Sequence, residues 1–397
     1  MQAQGGAKRI LPFVYGIAFC SVGLFLVGCS HGTATSAGGT WDPKAAAAYL
    51  DRRMEWWISW KNSARDHGTF CFSCHTGVPY ALARPALGTL LEEPAAAVPE
   101  QQLMDDVRRR VSLWNETSPF YTDQYVAPGK SAQSRGTEAV LSALMLAWDD
   151  ARRQRLSADT VTAFDHMWAE QRGSGDGAGA WSWLDFELSP WEVRGAEYYG
   201  AALAALAVGV APGNYQARPE IQEGLQRMRA YLVREYEAQS LHHRVILLWA
   251  SMKLPGLLDA AQRRALVAEV LRAQNRDGGW NLSALLPSAG KDAPRLTHAD
   301  SDGYATGLVT FVLGQVAMPE IDAQVQRGAS WLVRNQLGHG GSWIRGQEGF
   351  WVARSVNKWR SPWSDVGRFM SDAATAYAVL ALSERAQPQP RIASAGE

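Results

Sequence analysis

The sequence predicts an all-α protein of about twelve helices, arranged as an (α/α)6 toroid with an inner and an outer ring. One supporting observation is a repeated segment in which a helix ends in glutamine, a glycine-rich turn and a tryptophan. This repeat accounts for much of the 17 Trp and 37 Gly among 397 residues. The other is that each segment precedes a helix that is apolar on nearly every side, as buried helices are. An open solenoid would also fit, so ring closure is inferred from the number of helix pairs.

The repeated segments predict the outer helices and the turns that end them. The clearest copies are residues 263–280 and 326–343, which end at Trp280 and Trp343, and a looser copy ends at Trp183. Glycines in left-handed conformations stop the helix, the glutamine can bond the exposed backbone of the turn, and the tryptophan caps the apolar layer between hairpins. The six predicted pairs of outer and inner segments are 45–60 with 78–87, 105–114 with 135–147, 164–183 with 195–209, 221–236 with 241–252, 263–280 with 301–314, and 326–343 with 371–382.

The amino terminus resembles a bacterial lipoprotein signal. Lys8 and Arg9 precede the apolar run Ile10–Val27, and Leu26-Val27-Gly28-Cys29 has the small-residue pattern of a lipobox. The expected organisation is a signal peptide over 1–28, a lipidated Cys29 that starts a flexible tether over 29–41, the toroid over 42–386, and a disordered tail over 387–397. Ser30, rather than aspartate, follows the lipidated residue and favours the outer membrane. An uncleaved membrane anchor is the alternative.

Charge gives little reason to expect a polyanionic partner. The chain has 39 basic and 39 acidic side chains, so its formal net charge is zero. There is no overall basic field for nucleic acid, and none is expected as a partner. The expected contact with the membrane is through the amino-terminal lipid.

Two cysteines remain for the folded body, in Cys71-Phe72-Ser73-Cys74-His75. This C-x-x-C-H spacing is typical of covalent c-type haem attachment, in which both thiols bond the porphyrin and the histidine binds the iron. Export fits, because bacteria attach this haem outside the cytoplasm. The alternatives are a disulfide or redox pair, which the oxidising compartment permits, and half of a metal site.

The segment Gln274-Asn275-Arg276-Asp277-Gly278-Gly279-Trp280 resembles the QW motif of squalene–hopene cyclases and related prenyltransferase-type repeats. Residues 327–343, with Gln336, Gly340 and Trp343, resemble a longer version of it. The resemblance covers most of residues 41–386. The C-x-x-C-H-T segment together with residues 134–138 and 198–205 also resembles a group of exported bacterial squalene-cyclase-like proteins. The implied fold is the terpenoid-cyclase toroid, and the implied ligand is a hydrophobic, isoprenoid-like molecule.

The resemblance also implies an acid. Class II cyclases protonate an alkene with the middle aspartate of a DxDD motif. Asp300-Ser301-Asp302-Gly303 matches its first and third positions, so Asp302 would be the acid, whereas Gly303 replaces the last aspartate. The alternative is that Asp302 only caps the helix that follows it.

Together, these patterns place ionisable residues at one mouth of the toroid, near the starts of the inner helices. The expected members are Glu138, Glu197, Asp302 and Asp372, with His75 and His242 or His243. Their expected role is either acid–base chemistry on an apolar ligand or a haem site at His75. The first hypothesis for the function is a lipid-anchored, cyclase-like toroid that binds an isoprenoid-like ligand. The second is a non-catalytic haem or electron-transfer protein that uses the toroid as scaffold. A carbohydrate-active toroid is the third.

Overall fold

The computed structural model describes residues 40–117, 129–287, 295–338 and 349–386, and the protein is all-α over these ranges. Thirteen α-helices lie within them, and the only extended pairings there are isolated bridges. The helices are α1 Pro43–Ser59, α2 Val78–Leu90, α3 Val98–Ser112, α4 Lys130–Arg153, α5 Ala158–Ala169, α6 Glu197–Val210, α7 Gln222–Glu235, α8 Leu241–Ser251, α9 Ala260–Arg272, α10 Leu282–Leu285, α11 Gly303–Gly314, α12 Asp322–Asn335 and α13 Phe369–Ala386.

Six helices form an inner ring, and the predicted toroid is confirmed. These helices are α2, α4, α6, α8, α11 and α13, whose side chains are buried along most of their lengths. Each contacts the next around the ring, and α13 packs on α2. The amphipathic helices α1, α3, α5, α7, α9 and α12 lie outside. The contacts between the last and first inner helices make the ring closed rather than an open solenoid.

A hydrogen-bonded glutamine also joins the last outer helix to the first. Gln336, just after α12, accepts from the backbone N–H of Asp42 at 2.7 Å and donates to its carbonyl at 2.9 Å. Asp42 is the N-cap of α1. Residues almost 300 positions apart therefore meet at the seam of the ring.

The repeated turns that follow α5 and α9 use the same contacts. Gln171 and Gln274 each donate to a carbonyl in their own turn and to one at the start of the next outer helix, Gly224 and Gln324 respectively. A tryptophan Nε1 then donates back to the outer helix, from Trp181 to Met167, from Trp280 to Val270 and from Trp351 to Leu332.

Two of these tryptophans differ from the sequence prediction. Trp181, not Trp183, closes the looser copy, since Trp183 donates instead to the carbonyl of Trp191. In the last copy, Trp351 makes the bond to the outer helix, while Trp343 lies outside the described residues. Loop length varies between copies, so the spacing of glutamine and tryptophan alone does not identify the residue that reaches the helix.

The centre of the ring is filled by close helix packing and aromatic rings. A Cβ on Gly307 of α11 would lie 2.7 Å from the backbone nitrogen of Ala378 on α13, so this approach requires glycine. Along the middle, Tyr304, Tyr377 and Trp249 pack edge to face and are at most 2% exposed. This packing separates the two mouths of the toroid.

None of the helices in the described ranges is both long and apolar enough to cross a bilayer. The predicted signal, the lipidation site Cys29, most of the tether and the predicted tail lie outside those ranges.

Candidate functional site

The Cys71–His75 segment lies in the turn that leads into α2. Ser73 has a left-handed φ of 64°, and Ser73–Gly77 form a single π-helical turn before Val78. A Cβ on Gly77 would lie 1.9 Å from the carbonyl oxygen of Phe72, so the turn has no room for a side chain there. The sequence therefore folds into a compact turn that holds both thiols and the imidazole near the mouth at which the inner helices begin, the amino-terminal mouth.

Both cysteines are free thiols. Cys71 is partly buried, and Cys74 is 3% exposed. Burial raises the pKa of both thiols, which keeps them protonated. The Glu192 carboxyl lies beside the Cys74 thiol, and each group acts on the pKa of the other. Burial raises the pKa of Glu192 to about 7, although its interaction with Cys74 acts to lower it.

The tautomer of His75 follows from the bonds of its neighbour. Thr76 Oγ1 donates its one proton to Asp372 Oδ2 at 2.8 Å, because a carboxylate can only accept. The same oxygen and Ser73 Oγ both lie 3.0 Å from His75 Nδ1. A proton on Nδ1 can be donated to both oxygens, whereas a bare Nδ1 would face a lone pair of Thr76 Oγ1, so the contacts favour the tautomer with the proton on Nδ1. Burial, together with the nearby charges of Arg360 and Arg53, holds the pKa of His75 well below its usual range. The imidazole is therefore neutral, with its lone pair on Nε2.

Aromatic side chains surround this imidazole. The Phe369 ring stacks on it with centroids 3.9 Å apart, and Trp57 meets it edge-on at 5.3 Å. Trp191 lies on another side at 5.9 Å. These rings exclude water from the histidine and hold its plane.

Asp372 anchors the site to the outer ring. It accepts from Arg53 Nε at 2.8 Å and Nη2 at 3.1 Å, and from the Tyr49 hydroxyl at 2.9 Å. Arg53 is 2% exposed and Asp372 is 1% exposed. The predicted site residue Asp372 is thus the acceptor at the end of the chain His75–Thr76–Asp372, and it lies within α13 rather than capping it.

The other predicted carboxylates each have separate partners. Glu138 lies well inside α4 and forms a buried ion pair with Arg110. Asp302 caps α11 by accepting from the N–H groups of Ala305 and Leu282, and burial raises its pKa to about 6. Glu197 is partly buried at the start of α6, where its charge acts on Tyr231, and Asp300 is exposed.

The two neighbouring histidines have different surroundings. His242 Nε2 lies 2.8 Å from the Tyr304 hydroxyl, which also accepts from Trp191 Nε1 at 3.0 Å. His242 Nδ1 has no hydrogen-bond partner in the described part of the chain. His243 bonds Gln239 and the backbone of Pro190. Burial lowers the pKa of both imidazoles, so both are neutral, and Trp191 connects the His242 group to His75.

Sequence reasoning did not identify Glu192 and Arg360 as members of the site. Both lie in long loops that lead to inner helices, and Arg360 faces Glu192 and the Phe369 ring. No spacing relates them to Cys74 or His75. The one available signal was that Glu192 directly follows a tryptophan, Trp191, shortly before the third inner segment.

Asp106 of α3 accepts a hydrogen bond from the Phe70 N–H, next to Cys71, and its raised pKa gives a pH prediction. Burial raises its pKa to about 7, while the Phe70 N–H and the charge of Arg110 act to lower it and Glu138 acts to raise it. The unfolded value is about 3.9. Between these values the folded chain holds a proton that the unfolded chain has released, so the free energy of unfolding should fall as pH rises through this window.

Asp106→Asn removes this proton uptake. Chemical unfolding at about pH 5 and about pH 8 should therefore show a smaller loss of stability in the variant than in the wild type. Glu192 and Asp302 retain their own contributions, so some pH dependence should remain. An equal loss in both proteins would show that Asp106 does not titrate in this window.

No group of three or more histidine, cysteine, aspartate or glutamate side chains within the described ranges is arranged to bind a metal ion. Any metal held by His75 would thus need ligands that this part of the chain does not supply, such as those of a porphyrin.

Comparison with known proteins leaves the family open. No protein-family model and no curated protein matches the chain. Among solved structures, a polysaccharide lyase is similar to it with a TM-score of 0.33 and 12% identity, over 87% of this chain and 90% of that one. The function is therefore argued from the chain's own site residues.

Proposed function

We propose that Cys71, Cys74 and His75 bind a covalent c-type haem at the amino-terminal mouth of the toroid. The carrying observation is that His75 is neutral, with Nδ1–H directed at the hydroxyl oxygens of Thr76 and Ser73 and Nε2 left as the lone-pair nitrogen, beside two free thiols. Histidines that bind metals usually donate their other ring nitrogen in this way, which fixes the ring and its tautomer. The donor set fits the group.

Each residue has a defined role in this proposal. Cys71 and Cys74 would hold the haem covalently through their sulfur atoms, and His75 would bind its iron. Thr76 and Asp372 hold the imidazole proton on Nδ1, while Trp57, Trp191 and Phe369 keep the surroundings apolar. A bound haem supplies one-electron redox chemistry at its iron. We therefore propose an electron-transfer protein of the bacterial cell envelope, tethered by a lipid on Cys29.

A second candidate is a dithiol–disulfide redox pair, favoured by the Glu192 carboxyl that lies beside the Cys74 thiol. In the reduced form, Glu192 is placed to take the proton of the buried thiol when that thiol attacks a disulfide. Oxidation of the pair would release two electrons and two protons to the exchanged disulfide. This candidate requires both thiols to stay free of haem.

Production of the full chain with the c-type cytochrome maturation machinery distinguishes the two candidates. We expect red protein whose haem stays attached in denaturing gels. Cys71→Ser with Cys74→Ser should abolish covalent haem. His75→Ala should remove the axial nitrogen and change the iron absorption spectrum. His67→Ala is a matched control, since His67 is exposed on the same loop and outside the imidazole network.

Colourless protein with two titratable thiols per chain would overturn the haem proposal. In that case, reversible loss of both thiols on oxidation would favour the redox pair. Unchanged haem content in the double serine variant would exclude covalent attachment at this motif.

A further inference from the structure

A second concavity opens at the opposite mouth of the inner ring. It has a volume of about 520 Å³. It is lined from the carboxyl-terminal parts of α2, α4, α6 and α13 and by Lys253, just after α8. Small-molecule sites typically occupy about 300–1,000 Å³. The Cys71–His75 segment lies at the opposite end of the inner ring, so this concavity is separate from it.

The wall of this concavity is apolar. Leu82 and Pro85 come from α2, Trp148 from α4, Val210 from α6 and Leu380 from α13. Trp148 is fixed in place because its Nε1 donates to the carbonyl of Leu82 at 3.1 Å, and its ring packs edge-on against the fully buried Trp249. The structure therefore provides a preformed apolar surface for a hydrocarbon chain.

The polar lining carries more positive than negative charge. Arg152 and Lys253 both line the concavity, and Glu384 is the one acid of the lining. Arg152 forms ion pairs at 3.7 Å with Glu100 and Asp149, which lie outside the lining. Lys253 Nζ donates to Gln315, whose side-chain amide donates to Glu384. With two cations and one acid in the lining, an anionic group on the ligand is favoured.

One lining hydroxyl has no partner within the described ranges. Ser383 Oγ is buried there without a hydrogen bond, and the residue is 2% exposed. Buried polar groups are nearly always paired, and leaving one unpaired costs stability. An acceptor brought into the concavity would give this hydroxyl the partner that the protein does not supply.

We propose that this concavity binds a long-chain carboxylate, with the alkyl chain on the apolar wall and the carboxylate directed to Arg152 and Lys253. Arg152 and Lys253 favour a carboxylate over a neutral head group. A neutral alcohol of the same chain length would bury the same hydrocarbon but would gain no charge-assisted hydrogen bond. The proposal uses no residue of the Cys71–His75 segment and does not depend on haem.

Photolabelling of the full chain tests it, with a diazirine-bearing palmitate analogue as the probe. Mass spectrometry should place the label on peptides of α2, α4 and α13 that contain lining residues. Unlabelled palmitate should compete, and hexadecanol should compete roughly tenfold less well. Arg152→Gln with Lys253→Gln should remove this difference.

Two variants that fill the concavity, Ala151→Trp on α4 and Ala86→Phe on α2, should each reduce labelling at least tenfold while the helical circular dichroism is retained. Ala323→Trp is the matched control, because Ala323 lines a different groove between α11 and α12. Labelling spread over the surface, or unchanged by both filling variants, would overturn the site. Equal competition by hexadecanol would overturn the carboxylate.

Discussion

Replacing Asp372 by alanine is expected to lower the free energy of unfolding by about 3–5 kcal/mol, the usual cost of removing one partner of a buried ion pair. The substitution leaves the Arg53 guanidinium 2% exposed, with only Asp365 as a carboxylate partner. It also removes the acceptor of the Tyr49 and Thr76 hydroxyls. Urea unfolding followed by circular dichroism measures the effect.

Asp365→Ala is the matched control, because Asp365 pairs with the same arginine but is 60% exposed. Exposed pairs contribute about 0–1 kcal/mol, so this variant should unfold almost like the wild type. Equal losses in the two variants would contradict the assignment of Asp372 as the buried anchor. In Asp372→Ala, the Thr76 hydroxyl is also free to donate to His75, so the control of the imidazole tautomer is lost.

Trp280→Ala is expected to destabilise the toroid by about 3–5 kcal/mol, as for other large-to-small changes in a core. Trp280 is fully buried, its Nε1 donates to Val270 of α9, and its ring lies against Gly328 of α12 and leaves no room for a Cβ there. Alanine would leave a cavity between two neighbouring outer helices and would remove the indole hydrogen bond to the Val270 carbonyl. Thermal and urea unfolding should both show the loss.

Trp359→Ala provides the comparison, because Trp359 is 90% exposed. Surface substitutions of this kind usually change stability by less than about 0.5 kcal/mol. A small effect at Trp280, similar to that at Trp359, would mean that the tryptophan of the repeated turn does not hold the helices together.

The sequence was sufficient to predict the helix pairs because their signals are local. Small and apolar residues on all sides of 197–209 and 303–314 require burial, and Gln274 with Gly278 and Trp280 ends an outer helix through contacts within a few residues. The same reasoning predicted the first residues of the helices less accurately. The second inner helix begins at Lys130 rather than near Arg135, because the turn before it carries no strong capping signal.

Only some of the carboxylates predicted at the mouth belong to the site that the structure forms. Periodicity placed Glu138, Asp302 and Asp372 near helix starts. Asp302 does cap its helix through the nearby Ala305 N–H, but the other two carboxylates pair with arginines on other helices. Glu138 meets Arg110, and Asp372 meets Arg53, over 300 residues earlier. A helical spacing shows which face a residue occupies; it carries no information about which distant charge will face it.

The sequence by itself determined the all-α class, the six helix pairs and the Cys71–His75 motif, since each depends on neighbouring residues or on a repeat, and the export signal stays a prediction. Only the tertiary structure decided ring closure through Gln336 and Asp42, the neutral state and tautomer of His75, and the partnership of Cys74 with Glu192. The physical reason is that hydrogen bonds and burial between distant segments arise when the ring closes, and their energies depend on distances that spacing along the chain does not set.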